Sequence, residues 1–434
     1  MLPPAQPASA SGPRVRWLFL DLNSYFASVE QEIHPELRNR PVAVVPVMAD
    51  TTCCIAASYE AKAFGVKTGT QVGEAKRLCP GIILVEGSHQ VYVEYHNKIV
   101  EAVESCVPVS SVMSIDEMAC SLMGREQPLV AALELARRVK ETIKARVGST
   151  LRCSVGLASN RYLAKIASDM EKPDGLVALT PDILRPALQG LELRDLPGIG
   201  ARMEKHLHLQ GIRSMTQLLD LDRQQLSKVW GGVGGEKLWY WLRGEDFNDR
   251  ELEYQKSISH SHMLPPEFRS RDGAYAIAQR LLHKAAMRLR SEHLWAANIT
   301  LSVKFVMPKD LAKKRHFSGI PQSGWSHGMT IVECQDNQTL IEALRKLWAE
   351  MPTGDLYQKP FFIGVWLGNL VPDHLHTLSL FSNLETETRR TRLSETMDAL
   401  NHKFGTDTLI PASMLLAKAA APTRIAFTSI PNLF

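Results

Sequence analysis

The chain has 434 residues, room for about two to four domains, and its 45% hydrophobic and 22% charged residues are ordinary for a core-forming protein. Mean hydropathy is −0.12 and no apolar run approaches the roughly 18 residues that a membrane-spanning helix needs, so a transmembrane protein is excluded. The formal net charge of +4 is too weak to diagnose a polyanion binder, so the distribution of charge must decide.

Residues 1–13 are rich in Pro, Ala and Ser and carry no charged side chain. They read as a disordered tail, extending to residue 15, without the cationic start of a signal peptide or the arginines of a transit peptide. Order begins with the apolar strand Trp17–Leu20, which stops at Asp21. A carboxylate at the end of a buried strand must be paired, hydrated or metal-bound. A helix over 24–33 and a strand over 41–45 follow. Residues 56–79 read as helical, interrupted at Gly65 and Gly69. Another helix covers 91–106, and 109–122 reads as a strand hairpin turning around Ser114-Ile-Asp-Glu117. A helix (129–146), a strand (151–157) and a helix (159–169) complete a mixed α and β unit of about 180 residues.

Residues 180–248 are leucine-rich and helical, punctuated by Leu196-Pro-Gly-Ile-Gly200. Glycine amides between two helices can approach a phosphate closely; the same pattern also serves as a plain inter-helix turn. After a polar linker (244–253), the pattern predicts a strand at 256–263 and a helix at 274–293 with Ile277, Ala278, Leu281, Leu282, Ala285 and Leu289 on one face. Residues 295–305 alternate, with Ile299, Leu301, Val303 and Phe305 inward and Thr300, Ser302 and Lys304 outward. Strands near 313–318 and 328–334, a helix at 339–351 and a strand at 361–369 give a β-α-β-β-α-β order. Between Lys256 and His316 lie twelve Lys/Arg against four Asp/Glu. A sheet face bearing Lys304 and Lys313-Lys314-Arg315 suits a polyanion.

The seven cysteines are odd in number and form no C-x-x-C pair, and the histidine pairs lack H-E-x-x-H spacing. Neither a disulfide framework nor a zinc site is expected, and a reducing cytoplasm fits. The chemistry concentrates in carboxylates instead. Asp21 ends one buried strand, and Asp116-Glu117 lies in the turn of the hairpin. Three such acids brought together repel unless cations neutralise them. Hard oxygen donors of this kind suit Mg²⁺, and a pair of ions forms the phosphoryl-transfer clamp.

Four segments carry a resemblance: Asp21-Leu-Asn-Ser-Tyr-Phe-Ala-Ser-Val-Glu30, Ala57-Ser-Tyr-Glu-Ala-Lys-Ala-Phe-Gly-Val-Lys67, Ser114-Ile-Asp-Glu117 and the run from Gly156 to Gly175. In order and spacing they resemble the motifs of the Y-family, lesion-bypass DNA polymerases, over about residues 16–370. The resemblance implies an α+β multidomain, right-hand-like fold: a palm (16–30 and 88–179), fingers (31–87), a helix-hairpin-helix-like thumb (180–248) and a β-α-β-β-α-β little finger (255–370).

It also implies that Asp21, Asp116 and Glu117, with the Leu22 carbonyl, hold two Mg²⁺ ions. Phe26 falls at the steric gate that excludes a ribose hydroxyl, although by itself it reads as a core phenylalanine. Tyr59, Lys62 and Lys172 fall where the family contacts the triphosphate; Gly198 and Gly200 become DNA contacts with Lys304, Lys313, Lys314 and Arg315. Two positions depart from the pattern. Ala56 often carries a hydroxyl in the family, and Lys62 stands where arginine is common, replacing a bidentate fork by a point charge. Lysine there is similar to the branch containing the catalytic subunit of DNA polymerase V.

In the tail (371–434), Thr377-Leu-Ser-Leu-Phe381 resembles a sliding-clamp peptide, with Leu378, Leu380 and Phe381 as anchors and threonine in place of glutamine. Leu393, Met397, Leu400 and Phe404 have the spacing of a small helix. The expected function is template-dependent, error-prone DNA synthesis without proofreading. Its partners would be primer-template DNA, a dNTP and a sliding clamp; the chain would be monomeric by itself, cytoplasmic and nucleoid-associated. The alternative is a non-catalytic, polymerase-like adaptor that binds DNA and clamp.

Overall fold

A computed structural model of the chain describes residues 12–247, 257–306, 322–377, 384–405 and 408–417. They fall into two compact units divided in sequence after Asp249.

In the first unit, β1 (Trp17–Leu22) is the middle strand of a five-stranded sheet, and Leu18, Phe19, Leu20 and Leu22 are all buried. The strand runs two residues beyond its expected end at Leu20. Both its edges are paired, which sets Asp21 opposite Glu117 on one side and Ser154 on the other. Helix α1 (Tyr25–Ile33) follows directly. A smaller three-stranded sheet holds β2 (Val42–Val45) and β3 (Ala56–Ala57), then come α2 (Tyr59–Lys62) and α3 (Val72–Leu78), and β4 (Ile83–Glu86) closes it. The expected helix from Ala56 is corrected here. Ala56 and Ala57 pair with Val44 and Ala43 as a strand, and helix starts only after Ser58, whose hydroxyl accepts the Ala61 N–H. Gly65 and Gly69, with φ of +87° and +89°, break the rest.

The chain then forms α4 (His89–Glu104), β5 (Ser111–Val112), β6 (Glu117–Ser121), α5 (Leu129–Arg146), β7 (Cys153–Ala158), α6 (Arg161–Met170) and β8 (Leu176–Leu179). The sheet order is β5-β6-β1-β7-β8. Helix α6 lies hard against β7. A Cβ at Gly156 would stand 2.0 Å from the Ala164 carbonyl oxygen, so the approach needs glycine. Five helices follow: α7 (Pro181–Gln189), α8 (Ala201–Leu209), α9 (Met215–Asp220), α10 (Arg223–Trp230) and α11 (Val233–Trp241). Their leucines, among them Leu188, Leu207, Leu218, Leu226 and Leu238, make the core that the leucine-rich composition promised.

The second unit has the expected order: β9 (Ser257–Met263), α12 (Arg271–Ser291), β10 (Leu294–Val306), β11 (Gln322–Cys334), α13 (Asn337–Glu350) and β12 (Pro360–Pro372). The sheet runs β11-β10-β12-β9, all antiparallel. Ile299, Leu301, Val303 and Phe305 are fully buried in the same core as the helix face of Ile277, Leu281 and Leu289, while Lys304 is exposed. Strand β11 begins at Gln322, earlier than the expected 328; the strand expected near 313–318 lies outside the described residues.

The tail helix forms as α14 (Leu384–Phe404), but its expected apolar face does not pack. Leu393 and Phe404 are 59% and 62% exposed, and the buried side carries Ser394 and Asn401 instead. The cause is electrostatic. Arg290, buried on α12, reaches Asp398 of the helix at 2.6 Å, and an unpaired buried guanidinium would cost more than exposed leucines.

Candidate functional site

The site is built at the end of β1. The register that sets Asp21 opposite Glu117 also lets the Leu22 N–H donate to the Asp116 carbonyl at 2.9 Å, so the three acids become neighbours. The turn that presents Asp116 is fixed on both sides. The Ser114 hydroxyl donates to Asp116 Oδ1 at 2.5 Å, and buried His96 of α4 donates its Nδ1–H to the Ile115 carbonyl at 2.7 Å. Burial holds His96 below the ordinary histidine range.

Helix α6 and the turn that follows it supply the balancing charge. Lys165 Nζ lies 2.6 Å from Asp21 Oδ2, 2.6 Å from Glu117 Oε1 and 3.2 Å from Asp169 Oδ1. Lys172 Nζ lies 2.7 Å from Asp21 Oδ1 and 2.8 Å from Asp169 Oδ1. Burial acts to raise the Asp21 carboxyl, but the two ammonium groups outweigh it and hold Asp21 below the usual carboxylate range. Asp116 is pushed up by burial and by the Asp21 charge, beyond what its Ser114 bond offsets. Glu117 is also pushed up, by burial first, although Lys165 pulls the other way. Lys165 and Lys172 rise because the carboxylates outweigh their own burial.

Among the described residues no three His, Cys, Asp or Glu side chains are gathered tightly enough to hold an ion as they stand. The donor set nevertheless fits a hard cation. Three largely buried carboxylates meet at one strand end, and a cation, the Lys165 ammonium, already bridges two of them.

The other expected residues are near this centre or distributed elsewhere. Tyr59 opens α2, and Lys62 Nζ sits 4.2 Å over its ring. Burial and the like charge of Lys172 hold Lys62 below the ordinary lysine range. Ala56 is buried in β3 and offers no hydroxyl. Phe26 is only 5% exposed and stacks on Tyr92 at 4.5 Å, while the Tyr92 hydroxyl donates to buried Glu30 at 2.6 Å. Gly198 has φ of +94°, a conformation only glycine adopts readily, and Gly200 caps α8; Leu196 before them and Ile199 between them are buried.

In the second unit, Lys304 Nζ lies 5.0 Å over the Phe362 ring on the sheet face away from the helices. The register sets small residues beside it in rows: Ser302, Ser326, Gly364 and Ser261, then Thr300 and Gly328 with Trp366 and Ser259. The Trp366 indole lies against Gly364, where a Cβ would come within 2.3 Å of the ring. Much of the basic charge counted in the sequence is spent internally. Arg269 and Arg271 bond backbone carbonyls, Arg288 pairs with Glu292 and Arg290 with Asp398. Lys313, Lys314 and Arg315 lie outside the described residues, as do Leu378, Leu380 and Phe381.

Sequence reasoning missed Lys165, Asp169, His96 and Tyr92. A signal existed for the first two: Lys165 and Asp169 stand at i and i+4, with Lys172 three residues further on.

This combination of fold and acid cluster is shared with known proteins. The model of the impB/mucB/samB family matches residues 20–169 and that of its C-terminal domain residues 255–380; a thumb-domain model named for DNA polymerase iota matches 194–246. The chain belongs to the Y-family of DNA polymerases. It is 32% identical over 399 residues to the DNA polymerase IV of Moorella thermoacetica, covering 89% of this chain and 93% of that one. It is 30% identical to the DNA polymerase IV of Pelotomaculum thermopropionicum, covering 92% and 95%. Among solved structures, a chimeric Y-family DNA polymerase matches with a TM-score of 0.66 at 24% identity, over 82% of this chain and 99% of that one. The palm, fingers, thumb and little finger arrangement expected from the motifs is therefore the fold of this chain, and the adaptor alternative is left without support.

Proposed function

We propose that the chain is a DNA-directed DNA polymerase for translesion synthesis, and that its reaction runs at the end of β1. The observation that carries this reading is the in-register meeting of Asp21 and Glu117, with Asp116 beside them and two lysines against them. We assign the palm to 16–30 and 88–179, the fingers to 31–87, the thumb to 180–248 and the little finger to 255–370.

Asp21, Asp116, Glu117 and the Leu22 carbonyl would hold divalent metal, proposed as two Mg²⁺ ions. When bound, these would lower the pKa of the primer 3′-hydroxyl and neutralise charge on the triphosphate. The chain's own groups do the rest. Lys62 and Lys172 would offset the phosphate charge of the incoming dNTP together with the Tyr59 hydroxyl. Phe26, held by its stack on Tyr92, would close the space beneath the sugar C2′ and reject a ribonucleotide. Gly198 and Gly200 would admit a DNA phosphate to the thumb turn. The small-residue sheet face around Lys304 would lie against the duplex, with Lys313, Lys314 and Arg315 adding charge. The segment 377–381 would engage a sliding clamp. A monomer working at the nucleoid, in the cytoplasm, is the proposed setting.

The test is single-nucleotide primer extension with Mg²⁺. Asp116→Ala and Glu117→Ala are each expected to lower incorporation by at least about a thousandfold while DNA affinity stays within about twofold, since phosphate contacts dominate affinity. Extension at the wild-type rate by either variant overturns the assignment.

A further inference from the structure

Lys165 has been described so far only as a balancing charge. Its position is more specific than that. An ammonium has three donors, and here each finds one carboxylate: Asp21, Glu117 and Asp169, on three different elements. Two of the three, Asp21 and Glu117, face each other across the β1–β6 ladder, and Nζ is 2.6 Å from each. A divalent ion bridging those two residues would compete with Nζ for the same two carboxylates. Asp169 is different. It lies one helical turn along α6 from Lys165, outside the β1–β6 pair, and it also receives Lys172 at 2.8 Å.

We infer that Lys165 is a built-in counter-ion, a positioning residue that holds Asp21 and Glu117 together before metal binds and that metal must displace. The inference rests on the reading of Asp21, Asp116 and Glu117 as the metal-holding set. Without a cation the facing carboxylates would repel and splay; the lysine keeps the strand end ordered in the free protein. A divalent ion on these carboxylates would stand close to the ammonium, and like charges so placed repel. On metal binding Nζ gives up Asp21 and Glu117 and keeps Asp169, its partner on the same helix. The cost of that displacement makes metal binding weak in the free protein. Arrival of the triphosphate supplies further oxygens and negative charge, which offset the cost, so loading of the site is coupled to nucleotide.

The experiment measures Mn²⁺ affinity by paramagnetic resonance on the full chain without DNA or nucleotide, and melting temperature with EDTA or with Mn²⁺. Five chains are compared: wild type, Lys165→Met, Lys165→Arg, Asp116→Ala, and Lys76→Met, whose lysine pairs with exposed Asp50. Lys165→Met is expected to bind Mn²⁺ about tenfold more tightly than wild type, or about 1.4 kcal/mol. It is also expected to melt lower in EDTA and to recover with Mn²⁺, with Lys76→Met matching wild type throughout. Lys165→Arg, which keeps the charge, is expected to retain weak binding. If Asp116→Ala loses Mn²⁺ while Lys165→Met binds it no better than wild type, the counter-ion role is overturned and the metal site stands. If neither substitution changes Mn²⁺ binding, the acid-site reading fails and takes the inference with it. A Lys165→Met chain that stays unfolded even with Mn²⁺ reduces the lysine to a structural ion pair and also overturns the role.

Discussion

The five-stranded sheet that carries β1 and the four-stranded sheet of the second unit handle charge in opposite ways. At the end of β1 the acids are largely buried, and each lies within reach of lysine or hydroxyl partners. On the open face of the second sheet, Lys304 is exposed among serines, threonine and glycines, and the Phe362 ring lies beneath it. Chemistry on a phosphate needs charges that are fixed and poorly hydrated, because there they act at short range in a low dielectric. Gripping a duplex needs the reverse: hydrated, mobile cations on a flat surface that can exchange counter-ions for phosphates. The contrast teaches that charge count alone is a poor guide. The twelve basic residues between Lys256 and His316 looked like one binding patch in the sequence. Several of them hold the second unit together instead, as Arg290 does with Asp398.

That contrast can be broken at several points. The largest effect, beyond the acid substitutions, is expected from Phe26→Ala in the first unit. The ratio of kcat/KM for a dNTP to that for its rNTP should fall by about a hundredfold, which corresponds to about 2.7 kcal/mol of lost discrimination. Because Phe26 is buried and stacked on Tyr92, the same variant should also lose about 3 kcal/mol of stability. An unchanged sugar ratio with lowered stability would make Phe26 a core residue only.

A middle-sized effect is expected in the second unit from His260, which faces the helices rather than the open surface. Burial, with the charges of Lys284 and Arg288, pushes its pKa down to about 4. The unfolded chain therefore binds the proton more readily between pH 4 and 6.5, so stability falls as pH drops through that window. The loss amounts to about 3 kcal/mol at its limit. Melting curves should show His260→Gln losing much less stability than wild type between pH 7 and 4.5; parallel acid losses would show that the histidine is hydrated.

Smaller again is the expected effect of Lys304→Ala. DNA affinity should weaken uniformly across sequences, and the slope of log K against log salt should shrink by about one. A changed incorporation rate at saturating DNA would mean that this face is not a simple grip. The smallest effect on unaided synthesis is expected from Leu380→Ala with Phe381→Ala. Distributive extension should stay within about twofold of wild type while stimulation by a loaded sliding clamp disappears. Equal stimulation of both proteins removes 377–381 as the clamp ligand.

The sequence by itself determined most of the element order. Alternation placed Ile299, Leu301, Val303 and Phe305 inward, and all four are fully buried. Helical periodicity set α5 at its observed limits, Leu129 to Arg146. Order and spacing of four motifs also pointed to the acids and to Lys172. These features are local, written in a period of two or of 3.6 residues or in a short string. Other features depend on which strand lies beside which. That Asp21 ends up opposite Glu117, 96 positions along the chain, is a matter of register across β1 and β6. Lys165 reaches both because Gly156 lets α6 settle against β7.

The tail helix shows the same division. Leu393, Met397, Leu400 and Phe404 mark a helix correctly, yet three of the four are exposed, because a buried arginine on another helix claimed the opposite, polar side. Periodicity reports that a helix has two faces. Which face is covered depends on the partner that comes to meet it, and a buried charge outweighs a few leucines when the tertiary structure decides.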